Sequence, residues 1–426
     1  MRETMKKRLL ISSILSALIL SDSAFARSYA FVSNGHNDGQ GSLRAALQSG
    51  AQTIRISSNV STIIINSGLQ FNGNGRLRIQ GNGQVIDGSA IGEQETVLSI
   101  TNGANVAISS MSFIGSADSV NDNPSEPTGG KGIFVQVPID RTGIVKVSLS
   151  DVSVFRVGHH GVHVSDCSLG DDCGGGSGGG GEGSSASIFV KLDNVTINGV
   201  GFGRADADGV RVDDRGEGDI YFAAYNSTFS NIGADGVELD EGNNGNVVAD
   251  VRNSVFDRNG EYCNLVSEFE GGPCDDDGDR DVDDGFDIDE AGAGTIYARV
   301  RNTQVTNNYD EGLDFDEEDE GDISMRLNNV LASNNQDEAV KASEEGAGNL
   351  NVTLLRVTTV DNNGAKEGIE LEEADDGDVV VSVISSSLIG GDDEKLKIEQ
   401  GGEGEGVVNV RGSQGLVLDL DGVDAN

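Results

Sequence analysis

Short runs of alternating apolar and polar residues recur along most of the chain, the period of two that places successive side chains on opposite faces of a strand. The clearest run is an acidic-Gly-apolar-x-apolar-acidic phrase. It reads Asp208-Gly-Val-Arg-Val-Asp213, Asp235-Gly-Val-Glu-Leu-Asp240, Asp284-Gly-Phe-Asp-Ile-Asp289, Glu311-Gly-Leu-Asp-Phe-Asp316 and Glu367-Gly-Ile-Glu-Leu-Glu372. Degenerate copies begin at His160, Glu338 and Glu394. The Gly slots fall at 161, 209, 236, 285, 312, 339, 368 and 395, at intervals of 48, 27, 49, 27, 27, 29 and 27, so the repeat length is 27. A second phrase opens with Asn226, Asn253, Asn302 and Asn329, each at a fixed offset of 17 from the preceding Gly slot, and a third apolar alternation such as Ile220 to Ala224 lies between the two. Three short strands per coil of this length predict an all-β chain folded as a right-handed parallel β-helix. Propeller blades are longer and leucine-rich repeats shorter. In that fold Asn194, Asn226, Asn253, Asn302 and Asn329 stack at one corner, where side-chain amides bond each other and the turn backbone.

Ahead of the regular coils, Ser42 to Gln48 reads as a short helix with Leu43, Ala46 and Leu47 on one side. Such a helix is suited to plug the open end of a solenoid within an N-terminal cap over 27–60. The passage Asp38-Gly-Gln-Gly-Ser-Leu-Arg-Ala-Ala-Leu47, with Thr53-Ile-Arg-Ile, Thr62-Ile-Ile-Ile, Leu77-Arg-Ile-Gln-Gly and Val85-Ile-Asp-Gly88, resembles the cap and first coils of exported pectate-lyase-like β-helix proteins. That resemblance covers roughly the first fifth of the mature chain and is shared by lyases and non-enzymatic surface proteins, so what it implies is the fold.

The segment 1–26 reads as a signal peptide: Arg2, Lys6, Lys7 and Arg8 precede an apolar run from Leu9 to Leu20, and Ala24-Phe25-Ala26 offers a cleavage site. No later apolar run is long enough to span a bilayer. The expectation is therefore one exported domain over 27–426, periplasmic or extracellular, without a transmembrane segment and monomeric. Export makes the cysteines readable as disulfides. Cys167 and Cys173 are six positions apart, Cys263 and Cys274 eleven apart, and each pair falls within its own insertion, 166–186 and 260–282. Two local bridges are the simplest of the three possible pairings.

Both insertions adjoin the strand of the first phrase, so they predict walls beside one sheet whose outward residues form a floor. One outward column runs His163, Arg211, Glu238, Asp287, Asp314, Lys341, Glu370, Lys397; the next runs Ser165, Asp213, Asp240, Asp289, Asp316, Ser343, Glu372, Glu399. Composition sharpens the picture. With 71 Asp+Glu against 29 Lys+Arg the net charge is −42, which repels phosphate and argues against a nucleic-acid partner. Like charges on rungs about 4.8 Å apart repel by roughly 1 kcal/mol in water and about 3 kcal/mol at an effective dielectric of 20. Four consecutive acidic rungs, Asp213, Asp240, Asp289 and Asp316, therefore call for cations, high ionic strength or partial protonation. Calcium suits an all-oxygen set. Asp275, Asp277, Asp279 and Asp281, alternating around Gly278, resemble an Asp-rich calcium loop, although the spacing is not that of an EF-hand.

Three functions stay open from these residues. A calcium-binding β-helix that engages an anionic polysaccharide or cell surface without chemistry is the first. A calcium-dependent lyase or hydrolase acting on a uronate polymer is the second, with Arg211, Asp213, Asp240 and His163 as its candidates and Arg204 and Lys341 as further bases. The segment Gly158-His-His-Gly-Val-His-Val-Ser165 resembles the Gly-His-Gly stretch of polygalacturonases but falls in repeat register, and the floor carries no aromatic residue for sugar stacking. A passive acidic solenoid is the third.

Overall fold

The computed structural model describes residues 29–117, 129–167, 182–266, 274, 283–360, 362, 368–389 and 395–426. The signal segment 1–26, Cys173, and the loop residues Asp275, Asp277, Asp279 and Asp281 lie outside the described residues.

The predicted rungs form. The first phrase supplies strands Val162–Ser165, Val210–Asp214, Val237–Glu241, Phe286–Ala291, Leu313–Asp319, Val340–Gly346, Ile369–Glu373 and Leu396–Gln400, paired in parallel in one sheet. Their register is the one the Gly slots demand: His163 opposes Arg211, Arg211 opposes Glu238, Glu238 opposes Asp287 and Asp287 opposes Asp314. The slot favours glycine because a Cβ at Gly209 would collide with the carbonyl oxygen of Gly236 and with Ile232. One more copy precedes them: Lys131-Gly-Ile-Phe-Val-Gln136 contributes strand Ile133–Gln136, paired with Val162–Ser165.

The other two strands of each coil make a second sheet that folds over at the asparagine corner. Strand Ser185–Val200 pairs with both Ile220–Tyr225 and Thr228–Ile232, and Asn194, Asn226, Asn253, Asn302 and Asn329 all take a left-handed backbone with φ of 52–57°. Asn is among the few residues that enter this region at modest cost. Its amide then reaches the neighbouring rung: Nδ2 of Asn253, Asn302 and Asn329 donates to Oδ1 of Asn226, Asn253 and Asn302 at 3.1–3.2 Å. Asn226 and Asn194 instead donate to Asp193 and Asp151.

Apolar residues from Val32 to Val408 form one continuous buried cluster. Phe229 and Phe256 stack with centroids 5.0 Å apart. Phe256 and Phe286 stack at 5.6 Å, and Phe286 meets Phe315 edge-on at 5.5 Å. This ladder buries large aromatic area on successive rungs. Helix Leu43–Gln48, capped by the Ser42 side chain, buries Leu43, Ala46 and Leu47 and packs against Leu69–Phe71, the strand that ends the first sheet.

Two polar columns run inside the solenoid where the phrases did not predict them. Asn259, Asn308, Asn335 and Asn362 stack through their amides at 3.0–3.3 Å, fully or nearly fully buried. Asp214, Glu241, Glu290, Glu317, Glu344, Glu373 and Gln400 follow the last outward position of each first-phrase strand and turn inward. Strand alternation carried one residue further accounts for this. The six acids are fully shielded from solvent.

Candidate functional site

Tyr262, Cys263, Val266 and Cys274 of the second insertion form a small buried cluster against which Ala205 packs, so residues ahead of Asp208 and ahead of Asp284 are in contact; residues 168–181 of the first insertion lie outside the described residues. Cys263 and Cys274 are disulfide-bonded with Cα atoms 5.1 Å apart. Cys167 is buried and is not a free thiol; its predicted partner Cys173 lies outside the described residues.

The floor itself is not the open acidic surface that alternation suggests. Arg211, Asp213, Asp240, Glu238 and Asp314 are all buried. What makes this possible is charge pairing that the sequence pattern did not reveal. The Arg211 guanidinium reaches Asp213 at 2.7 Å, Asp206 at 3.0 Å, Asp240 at 3.1 Å and Asp208 at 3.5 Å, and it also contacts Glu238. Arg215, which follows strand Val210–Asp214, turns back onto Asp240. Burial disfavours charge on Arg211, but Glu238, Asp206 and Asp213 outweigh it and keep the side chain protonated. A guanidinium so held organises carboxylates and is not a proton acceptor. Burial also pushes Asp213 up, yet Arg211 and His163 together hold it well below the usual carboxylate range. Asp213 and Asp240 thus face arginines, where the sequence had placed them in a calcium row.

At the end of the floor nearest Lys131 the groups form a relay. Lys131 Nζ contacts Nδ1 of His163, and Nε2 of His163 lies 2.6 Å from Asp213 Oδ2. Burial above all pulls the Lys131 ammonium down to about 8, with Arg204 and Arg211 adding to the shift and Asp213 opposing it. Burial likewise brings His163 to about 4, so its ring is neutral near pH 7. His160, also neutral through burial, accepts the Asp208 backbone N–H at Nδ1 over 2.9 Å. Lys131 escaped sequence reasoning because its copy of the phrase lacks the acidic ends, although Gly132 precedes Gly161 by close to one repeat.

Further along, the balance reverses. Carboxylate oxygens of Glu238, Asp287 and Asp289 lie within 4.8 Å of one another, as do those of Asp284, Asp287 and Asp314, and those of Asp284, Asp310 and Glu311. These triads share members and form one continuous acidic strip over three rungs. Oδ1 of Asp284 and Oδ1 of Asp314 are buried without a hydrogen-bond partner. Burial first, then the neighbouring carboxylates, drives Asp284 and Asp287 far above the ordinary carboxylate range and Asp289 up to about 8. Of the predicted metal row, Asp289 joins this strip. Asp316 lies 3.5 Å from Lys341, which also holds Asp314 at 2.7 Å. In the sequence the residues before the Gly slot, Asp208 and Asp284 among them, mark only the start of each phrase. Their backbone turns them toward the first outward column.

No protein family and no curated protein sequence matches the chain. Among solved structures, it is similar to the enzymatically active domain of bacteriophage CBA120 tailspike protein 2, at 12% identity and a TM-score of 0.50, over 83% of this chain and 48% of that one. The chain therefore spans about half the length of that domain. It is also similar to pectate lyase Pel9A at 13% identity and a TM-score of 0.42, over 87% of this chain and 79% of that one. The coil geometry and the tailspike likeness define the fold: a right-handed parallel β-helix. Among the described residues no helix is long and apolar enough to cross a membrane.

Proposed function

We propose that this chain is an exported calcium-binding β-helix that engages an anionic polysaccharide or cell-surface polymer through cation bridges on its first sheet. The observation that carries the reading is the pair of buried, unpartnered oxygens on Asp284 and Asp314 inside overlapping carboxylate triads. Such oxygens need a hydrogen-bond donor, a proton or a cation, and Lys341 serves only the other oxygen of Asp314. An all-carboxylate donor set over several rungs fits calcium, which accepts many oxygens in flexible geometry. Asp284, Asp287, Asp314, Glu238 and Asp289 would hold the ions, and a bound cation leaves coordination positions for a uronate carboxylate. The tailspike likeness shows the fold and no more. Calorimetric titration of calcium into the wild type and into an Asp284→Asn/Asp287→Asn variant tests the proposal. Loss of the tightest calcium site in the variant, together with loss of calcium-dependent binding to pectate or alginate, is expected. Full calcium binding by the variant would remove these residues from the site.

A second reading has its own observation. Lys131, with its ammonium brought to about 8 beside neutral His163, becomes able to take a proton as pH rises toward 8, which suits a uronate lyase more than binding alone. Incubation with pectate and alginate distinguishes the two. New ultraviolet-absorbing unsaturated ends that disappear in Lys131→Met would establish catalysis, and a wild type that releases none leaves the binding function.

A further inference from the structure

The opposite sheet carries the contrary chemistry. Strands Val247–Arg252, Ile296–Arg301, Ile323–Asn328, Leu350–Leu355 and Val379–Ile384 pair in parallel, with buried and exposed positions largely alternating. Register sets Tyr297, Ser324 and Asn351 side by side in one outward column and Arg299, Arg326 and Thr353 in the next. These six residues line a groove of about 650 Å³. Arg299 and Arg326 are exposed on adjacent rungs, and among the described residues neither forms an ion pair. Asp250, the carboxylate beside Arg299, is already engaged by Arg252 and by Arg301. Two neighbouring guanidiniums with no ion pair of their own, beside one carboxylate shared by two other arginines, are the reverse of what a net charge of −42 leads one to expect. Strand pairing and the buried ladder hold these rungs without them.

We propose that this groove binds an acidic oligosaccharide directly, Arg299 and Arg326 each pairing with a carboxylate or sulfate on successive sugar units. A guanidinium presents its donors as a planar fork matched to such groups. The rung spacing of about 4.8 Å is close to the length of one pyranose unit, so a glycan lying along the solenoid meets a new rung with each sugar. Tyr297, 47% exposed, offers an aromatic face to a sugar ring, and its hydroxyl stays available to water or ligand. Ser324, Asn351 and Thr353 supply donors and acceptors for hydroxyl groups. The acidic strip belongs to the strands of the first sheet and the groove to those of the second.

This site is independent of the cation-bridged reading of the first sheet, because it needs no calcium. The full chain is titrated in EDTA with polygalacturonate, alginate and chondroitin sulfate oligosaccharides, alongside a neutral cello-oligosaccharide and a single-stranded DNA oligonucleotide. The wild type should bind at least one acidic glycan in chelator and the neutral one at least tenfold more weakly. Arg299→Ala/Arg326→Ala should weaken the acidic glycan at least tenfold, Arg299→Lys/Arg326→Lys less, and Tyr297→Ala severalfold. The melting temperature should hold, since these side chains lie outside the core, and calcium-dependent binding at the first sheet should survive. Absence of binding to all three acidic glycans in EDTA overturns the proposal, as do unchanged affinity in the double alanine variant and tighter binding to DNA. Survival of binding in EDTA with loss of any calcium effect would instead overturn the first-sheet reading and leave this one standing.

Discussion

Arg211 shows how much one side chain decides. Its guanidinium is buried to 1% exposure among Asp206, Asp208, Asp213, Glu238 and Asp240. Removing it leaves buried carboxylates facing each other with one less counter-charge, a change that typically costs about 3–5 kcal/mol. Arg211→Met should lower unfolding free energy in EDTA by that order, measured by denaturant titration, and Arg211→Lys should cost less. A loss below about 1 kcal/mol would mean that the network is weak. At the corner, Asn253 has a backbone φ of 53° and bonds both neighbours in its ladder. Asn253→Gly removes the amide bonds together with the Cβ held at positive φ, while Asn253→Ala removes the bonds and keeps a Cβ in the left-handed region. The alanine variant should be the less stable of the two by about 1–2 kcal/mol. Equal stabilities would show that the amide ladder, and not the backbone, sets the preference for Asn.

Among the elements, the interior acid column has the clearest consequence. Burial pushes Asp214 up to about 9, Glu241 to about 7, Glu290 to about 10, Glu317 to about 7 and Glu344 to about 9. Each carboxyl binds its proton more tightly in the folded chain than in the unfolded one. The stability this contributes is complete below the unfolded values near 4 and is lost as pH rises through the folded values. Asp213 acts oppositely, since its depressed value withdraws stability as pH falls below about 4. In EDTA the melting temperature should be highest near pH 4 and fall between about pH 4 and 10, as calorimetry at a series of pH values would record. A flat profile over that range would mean that the column does not titrate on its own. Gln400 ends the column by donating Nε2–H to Glu373 Oε2 at 2.9 Å, the bond a protonated glutamate would make. The disulfide gives a further expectation at this scale. Cys263 and Cys274 close a loop off the coils, so their reduction should leave the far-ultraviolet β signal unchanged while increasing proteolysis near the bridge. Loss of β signal on reduction would make the bridge part of the solenoid's own cohesion.

At the scale of the whole molecule, charge is segregated between faces: carboxylates crowd the first sheet, and Arg252, Arg299, Arg301 and Arg326 gather on the opposite one. Calcium should therefore raise the melting temperature more than sodium chloride at matched ionic strength, because ligation adds binding free energy to screening. Differential scanning calorimetry decides it. Equal shifts would favour the passive acidic solenoid over the calcium reading.

The regular spacing of the Gly slots and the alternation within each phrase determined the coil, the register and the corner asparagines, because backbone pairing in a solenoid repeats with the sequence. The same arithmetic predicts that both insertions rise beside one sheet. The chemistry of that sheet was decided elsewhere. Which carboxylates face arginine and which face only each other depends on Arg215 folding back over Asp240, on Lys131 entering from a copy with no acidic ends, and on Asp284 lying beside Asp314 from the next rung. None of these relations is written in a single phrase. They arise between rungs, where distance and burial set the cost of each charge, and only the packed coil fixes either.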